Sequence, residues 1–415
     1  MYTKSIWVPI VIGLSVMSGC NNSENSQPTS TTVSEAKPLV QQKNIYATTS
    51  IGNGNILFGG ENGLSIVNTS DSENSQKLTK SFSLPTFESS NEVFKRTDGI
   101  AYYKSDEGNN TKAEKSKIYS MLNVDDGILI GGSFASVNGV EKHNLVKLNF
   151  DGTVNNEFKS DVGGTVNKII KIEDSLLIAG TIGSYNNQEA YALIEINSNG
   201  KRNDQFLPFQ DYMFAKINDM IQLNDENIML SGTFIKDALE EDQNKSQKEL
   251  IKLSKTIIII NKEGFVNEEL TAKFSDLKNE VFALAIDKGK VYVAGDFHLI
   301  KNNKEYNHLV SYDLNGDFDE NFQIEKLLGM IFDVAIHDNK VLFAGDFLID
   351  ADDDTRSFYL VDKAGKTIKI ENMNIDADIY NIDIYNGDII MSGEGEFKVS
   401  GKKFENGLVL KLDNI

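Results

Sequence analysis

Three aspartates at alternate positions, Asp350, Asp352 and Asp354, are the residues of this 415-residue chain best spaced to bind a metal. Alternating carboxylates are ligands that Ca²⁺ prefers. An EF-hand loop would also need glycine at its sixth position and glutamate at its twelfth, and here those positions are Thr355 and Val361. The segment is therefore either a short calcium loop or a solvated acidic loop, and we favour the solvated loop.

Catalytic patterns are otherwise missing from the sequence. Its four histidines, His143, His298, His308 and His337, have no HxxxH spacing, and there is no GxSxG, HExxH or phosphate-loop motif. Sialidase-like hydrolysis would need clustered arginines, but the only arginines are Arg96, Arg202 and Arg356. We therefore expect a protein that is not an enzyme, and a lyase or hydrolase is the third-ranked hypothesis.

The composition excludes several binding functions. The chain has 41 basic and 61 acidic residues, for a net charge of −20, and binding to nucleic acid needs clustered positive charge. A single cysteine gives neither a disulfide framework nor a cysteine-rich zinc site. With 40% hydrophobic residues, however, the chain can bury a sizeable core.

The N-terminus has the features of an export signal. Lys4 is followed by an apolar run at residues 6–17, which is too short to cross a membrane as a helix. Small residues before Cys20 resemble the lipobox of bacterial lipoproteins. In that family the chain is cleaved just before the cysteine, and a lipid is attached to the cysteine sulfur. This resemblance implies a signal peptide at residues 1–19 and a lipidated cysteine with a flexible tether at residues 20–42. The alternative is a plain signal peptide with an incidental cysteine.

The rest of the chain, residues 43–415, is a repeat. A small residue followed by glycine ends a β-branched run seven times, and we call these the anchor glycines: Gly60, Gly132, Gly180, Gly232, Gly295, Gly345 and Gly393. A turn glycine follows about 20 residues later in most units, and a large apolar residue closes several units: Phe158, Phe206, Leu270 and Phe322. Each unit contains three clear strands and a weaker fourth, separated by turns rich in Asn-Gly and Asp-Gly. Four-stranded units repeated radially are typical of a β-propeller.

Residues 125–158 resemble the delta-60 repeat, a bacterial propeller-type repeat with an ILVGG-F strand, an Asn-Gly loop, and a DG turn before a terminal phenylalanine. The resemblance implies an all-β fold with a single propeller and implies no catalytic residues. Seven anchors predict seven four-stranded blades. The 72 residues between the first two anchors leave room for an eighth, which is the alternative. We expect the anchor glycines to prevent a collision with the neighbouring blade.

The last unit ends before its fourth strand. We therefore predict that an N-terminal segment, residues 36–42 or the start of 43–51, completes it and closes the ring.

The loops after the anchor strands are expected on one face of the ring, and loops on a rigid scaffold commonly carry function. We predict that Tyr185, Tyr191, Tyr306 and Arg356 contribute to an interaction surface there. The first hypothesis is a non-catalytic lipoprotein of the bacterial cell envelope that binds an envelope protein. It would be anchored only by lipid, at the outer membrane, and would face the periplasm or the cell surface. The alternative is a glycan-binding or adhesion module assisted by calcium, and no other cofactor is expected.

Overall fold

The computed structural model describes residues 30–38, 44–52, 55–68, 82–89, 93–96, 102–105, 115–236, 254–324, 327–349 and 356–413, and these form strands almost throughout. No helix within these ranges is long and apolar enough to cross a membrane. In chain order the strands are β1 (Ser30–Pro38), β2 (Ile45–Gly52), β3 (Asn55–Gly60), β4 (Gly63–Asn68), β5 (Phe87–Glu88), β6 (Val93–Arg96), β7 (Tyr102–Ser105), β8 (Lys117–Val124), β9 (Gly127–Ser133), β10 (Ser136–Val137), β11 (Val140–Glu141), β12 (Leu145–Leu148), β13 (Val162–Ile172), β14 (Ser175–Tyr185), β15 (Gln188–Glu189), β16 (Leu193–Ile196), β17 (Tyr212–Gln222), β18 (Asn227–Lys236), β19 (Lys255–Asn261), β20 (Glu280–Asp287), β21 (Lys290–Lys301), β22 (Lys304–Asp313), β23 (Leu328–His337), β24 (Lys340–Leu348), β25 (Phe358–Val361), β26 (Thr367–Glu371), β27 (Met373–Tyr385), β28 (Asp388–Val399) and β29 (Lys402–Asp413), with one short helix, α1 (Glu268–Ala272).

One antiparallel hairpin recurs around a central channel. Its first strand, the inner strand, lines the channel, and its second strand, the anchor strand, carries an anchor glycine. The hairpins of units one to seven are β2–β3, β8–β9, β13–β14, β17–β18, β20–β21, β23–β24 and β27–β28. Each inner strand contacts the inner strand of the next unit, and β27 contacts β2. The protein is therefore an all-β closed ring of the β-propeller type, as the sequence predicted.

The anchor glycines lie opposite a β-bulge in the inner strand. In unit six, Gly345 pairs with Ile331, and the register shifts immediately after that pair. A Cβ atom on Gly345 would collide with the carbonyl oxygen of Met330, in the same unit. The expected collision with a neighbouring blade is therefore wrong for these glycines. It applies instead one position earlier in units one and two, because a Cβ on Gly59 would strike Ile118 and one on Gly131 would strike Val166, each in the next unit.

The outer part of most units has one regular strand and a weak edge. In units two to five the fourth segment forms only an isolated bridge, for example between Tyr312 and Phe318. Unit six has a full fourth strand, β26, which pairs with β25. The closing residues Phe158, Phe206 and Phe322 are buried, and Phe206 packs with Ile217 of the next unit. These apolar contacts join neighbouring units.

Strand β1 closes the ring. It runs antiparallel to β29 of the last unit, from Thr32 opposite Asp413 to Pro38 opposite Leu408, and its first residues pair in parallel with β26. Val33 and Ala36 pack against the core of the last unit. Closure by an N-terminal strand is confirmed, but residues 36–42 are not its bounds, and the segment 43–51 instead begins the inner strand of unit one. Residues 30–38 lie within the predicted tether, but they form a strand of the propeller.

Candidate functional site

The seven bulges present one side chain each toward the central channel. These side chains line a cavity of about 400 Å³ and are Tyr46, Tyr119, Asn167, Asn218, Phe282, Phe332 and Tyr380. A bulge turns one extra side chain out of the regular alternation of a strand. The same backbone feature that requires the anchor glycine therefore selects the residues that line the channel.

Five of these seven residues are aromatic and form an arc that we call the aromatic collar. Ring centroids are separated by 5.2 Å between Tyr119 and Tyr46, 5.8 Å between Tyr46 and Tyr380, 5.8 Å between Tyr380 and Phe332, and 5.8 Å between Phe332 and Phe282. All five side chains are only half-buried. The collar is therefore a continuous aromatic surface that faces the cavity rather than part of the closed core.

The other two bulge residues, Asn167 and Asn218, are used to join units. The Asn167 side-chain amide donates a hydrogen bond of 2.8 Å to the carbonyl oxygen of Ile217, and that of Asn218 donates one of 2.9 Å to Val281. In each case the acceptor lies on the inner strand of the next unit. At the bulge position, units three and four are thus hydrogen-bonded to the next unit, whereas the other units have an aromatic ring there.

A polar layer follows one residue further along the inner strands. It contains Ser120, Lys168, Asp219, Asp333 and Asn381. The Lys168 Nζ lies 2.6 Å from the Asp219 carboxylate, which also accepts a hydrogen bond of 2.9 Å from the backbone N–H of Leu284 in the next unit. The Ser120 hydroxyl and the Asp333 carboxylate accept equivalent bonds from Ile169 and Ile382, at 3.0 and 2.7 Å. The layer therefore ties adjacent units together, while the buried Asn381 amide nitrogen has no hydrogen-bond partner among the described residues.

Two carboxylates in the channel form no ion pair with any residue that the structure describes. Burial raises the pKa of Asp333 to about 7, although two backbone N–H groups and the distant Lys168 oppose the shift. Burial also raises the pKa of Asp383, which accepts hydrogen bonds from the Thr48 hydroxyl and the backbone N–H of Ile384. Burial alone would lower the pKa of Lys168, but the carboxylates, above all Asp219, raise it overall. Lys168 is thus a charged ammonium group facing three acidic groups.

Three exposed carboxylates, which we call the acidic trio, flank one side of the collar. Asp378 and Glu394 are paired across the strands of unit seven, and Asp346 lies at the corresponding place in unit six. Burial, Asp346 and Glu394 raise the pKa of Asp378, and all three carboxylates raise the pKa of Tyr380 after the larger effect of its burial. The trio is therefore close enough to Tyr380 to place negative charge beside that ring.

The predicted interaction tyrosines mostly belong to the core. Tyr185 is fully buried and donates a hydrogen bond of 2.5 Å to the carbonyl oxygen of Gly200, and Tyr306 is 2% exposed. Tyr191 is half-buried and Arg356 is exposed. The assignment of Tyr185 and Tyr306 to an exposed surface is therefore wrong, because the polar loops that contain them fold back as hairpins with one face on the core.

Those hairpins lie at one end of the propeller, since all anchor strands run the same way along the channel. Their tips are tight turns with positive φ at two successive residues: Asn138-Gly139, Asn186-Asn187, Asn302-Asn303 and Ser400-Gly401. Inner strands start at this end, which we call the loop end. The acidic trio consequently lies between the loop end and the collar, whereas Asp383 lies deeper in the channel.

Several predicted site residues lie outside the described residues: Cys20, Asp350, Asp352 and Asp354. Within the described part of the chain, no group of three His, Cys, Asp or Glu side chains is arranged to hold a metal ion. The calcium prediction for residues 350–354 stays a prediction.

Sequence reasoning overlooked the collar and the polar layer. The signal was available, because each bulge residue precedes its anchor glycine by 13 or 14 residues, as Phe332 precedes Gly345 and Tyr46 precedes Gly60. The residue at that position is aromatic in some units and asparagine in others, so a search for a repeated residue type does not find it.

Two segments of the chain match a β-propeller family, which supports the propeller architecture. Residues 125–158 and 289–322 match the family described as "Domain of unknown function (DUF5122) beta-propeller", and no curated protein matches the chain. Among solved structures, YCF48 bound to D1 peptide aligns with a TM-score of 0.47 and 11% identity over 91% of this chain and 95% of that one. The WD40 β-propeller domain of Doa1 gives 0.46 and 11% over 92% and 96%. The extracellular domain of BT4673 from B. thetaiotaomicron gives 0.45 and 12% over 91% of this chain but 40% of that one.

Proposed function

We propose that the protein is a non-catalytic lipoprotein of the bacterial cell envelope whose propeller binds a partner protein at the channel mouth of the loop end. Acyl chains on Cys20 anchor it at the outer membrane, and the propeller faces the periplasm or the cell surface. The propeller has seven blades, in keeping with the seven inner hairpins found among the described residues. In the interval that could have held an eighth blade, the described residues form only the short strands β5 to β7.

The aromatic collar is the observation that carries this proposal. Five aromatic rings with neighbouring centroids 5.2 to 5.8 Å apart are held half-exposed around a cavity by a closed ring of strands. Aromatic side chains in preformed concave sites supply much of the free energy of binding at protein interfaces, because they bury large areas with little loss of conformational entropy.

The hydrogen bonds of the polar layer favour binding over catalysis. Asp219 and Asp333 each accept hydrogen bonds from two backbone N–H groups, one of them in the next unit. A general acid or base must instead be free to exchange a proton with a substrate. The carboxylates at the centre of the channel thus serve to join the units.

A protein partner is preferred over the alternative of a glycan. Two of the three tyrosines predicted for the interaction surface, Tyr185 and Tyr306, are buried in the core and cannot stack on a sugar. Neighbouring rings of the collar are tilted relative to each other, with interplanar angles of 45°, 41°, 35° and 65°. The collar therefore offers no single flat platform. A surface of phenylalanine and tyrosine rings at different tilts suits the varied side chains of a polypeptide.

Site-specific photocrosslinking in the native cells tests the proposal. A benzophenone amino acid is placed at Phe282 in the collar and, as a matched control, at Phe265, which is 71% exposed and follows β19 at the opposite end of the propeller. We expect one protein to be crosslinked in stoichiometric yield from Phe282 and not from Phe265. Equal labelling from the two positions, or none from Phe282, would contradict binding at the collar.

A further inference from the structure

We infer that the aromatic collar and the acidic trio together form a receptor for a basic side chain, arginine or lysine, of the protein partner. This inference rests on the proposed function, since it names the chemistry by which the collar recognises that partner. It requires an aromatic surface open to a cation, negative charge beside it that is not already neutralised, and a channel that does not repel a cation.

The collar meets the first requirement. A guanidinium or ammonium group is attracted to the face of an aromatic ring when it lies within about 6 Å of the ring centroid. Consecutive centroids in the collar are 5.2 to 5.8 Å apart, so a cation in the cavity can contact two neighbouring rings at once. Arginine is especially suited, because its planar group stacks on aromatic faces and is weakly hydrated.

The acidic trio meets the second requirement. Glu61, on the neighbouring unit, is already paired with Lys115 at 2.8 Å, and Glu280 has Lys216 at 3.9 Å. Asp346, Asp378 and Glu394 form no ion pair with any residue in the described ranges, and all three are exposed. Their negative charge beside Tyr380 is therefore available to an incoming cation.

The channel below the collar meets the third. Lys168 is paired with Asp219 at 2.6 Å, and its charge is thereby locally balanced. Asp333 and Asp383 line the same cavity without a cation of their own among the described residues. A positive group that enters from the loop end therefore meets rings first and carboxylates behind them.

Binding of short blocked peptides to the full-length protein tests the inference. The probes carry a single arginine, a single lysine or a single glutamine at the same position, and affinity is measured by calorimetry at low and at physiological salt. We expect the arginine and lysine peptides to bind and the glutamine peptide to bind at least about fivefold more weakly. Affinity for the basic peptides should fall with added salt, because the acidic trio is exposed.

Matched variants locate the site. Phe332→Leu, which keeps apolar bulk but removes the ring, should weaken the arginine peptide about threefold or more, whereas Phe265→Leu at the opposite end should leave it unchanged. Asp378→Asn should weaken it as well, whereas Asp338→Asn, in the turn after β23 at the opposite end of the channel, should not. Equal affinities of the arginine and glutamine peptides, or equal effects of Phe332→Leu and Phe265→Leu, would overturn the inference.

The two proposals can fail separately. If the Phe282 crosslinker captures a partner whose contact segment lacks arginine and lysine, the collar binds a protein but the basic-residue inference is wrong. If the peptides bind as expected and Phe282 captures no protein in cells, the cation site exists and the proposed function is wrong.

Discussion

The same bulge position serves two purposes in two regions of the ring. In units three and four it holds Asn167 and Asn218, whose amides donate to a carbonyl oxygen of the next unit. In the other five units it holds an aromatic ring that packs beside a neighbouring ring of the collar and faces the cavity. The backbone is alike in both regions, so the side chain alone decides whether the position joins units or remains available to a ligand.

This difference separates stability from binding within one ring of residues. The amide region satisfies partly buried backbone carbonyl groups, and loss of such a bond is costly. The aromatic region leaves large rings half-exposed, which adds less to stability than full burial would. We therefore expect substitutions in the amide region to act mainly on the free energy of unfolding, and those in the aromatic region mainly on binding.

The largest expected effect is on the bulge itself, which both regions share. Gly345→Ala would drive a Cβ into the Met330 carbonyl oxygen and should lower the free energy of unfolding by about 3 kcal/mol. The control is Gly139→Ala, a glycine with φ of 72° in open space, which should lose only about 1 kcal/mol. Denaturant unfolding of both variants measures the difference, and equal losses would show that the bulge does not require glycine.

Breaking the amide region should have the next largest effect. Asn218→Leu removes the donor to the Val281 carbonyl oxygen while keeping a side chain branched at Cγ, and should cost about 2 kcal/mol. Chemical denaturation provides the measurement. A loss no larger than that of Phe332→Leu would contradict the division between the two regions.

The polar layer beneath both regions should make stability depend on pH. Burial holds the pKa of Asp333 at about 7, against 3.8 for a free aspartate, so the folded state binds more protons between those pH values. The free energy of unfolding should therefore fall as pH rises from about 4 to 7 and level off above that range. In Asp333→Asn this slope should be flatter by up to about 1.4 kcal/mol per pH unit, which denaturation at several pH values measures. Identical slopes in the two proteins would show that the pKa of Asp333 is not raised in the folded state.

The smallest effect on stability is expected in the aromatic region. Phe332→Leu loses its contacts with Phe282 and Tyr380 but leaves no polar group unsatisfied, so the free energy of unfolding should fall by less than about 1 kcal/mol. Thermal unfolding beside the parent protein gives the value. A loss above about 2 kcal/mol would mean that the ring belongs to the core.

Much of the fold could be predicted from the sequence because it depends on local rules. The anchor glycines, the strands and the turns recur with the units, and the open last unit predicted closure by an N-terminal strand, which β1 provides. The exact segment could not be predicted, since residues 30–38 are polar and pair mainly through their backbone. The effect of the anchor glycines was misassigned, because a bulge in the opposite strand leaves no mark on the glycine itself.

The candidate site was harder to predict for a different physical reason. Tyr185 and Tyr306 lie among polar residues, and only the folding back of their hairpins shows that they are buried. Tyr46 and Phe282 instead lie between two apolar residues and look like core residues, although the bulges turn them toward the channel. Local polarity is therefore misleading at both places, because exposure depends on which way a strand turns.

Capture of the partner by two variants separates the roles of the aromatic and the amide regions. Phe332→Leu and Asn218→Leu alter the same structural position, one in the aromatic region and one in the amide region. Capture of the crosslinked partner through Phe282 is measured in both backgrounds, together with their free energies of unfolding. We expect Phe332→Leu to reduce capture with little loss of stability. We expect Asn218→Leu to lose stability but to retain capture. Reduction of capture in proportion to lost stability in both variants would contradict this separation.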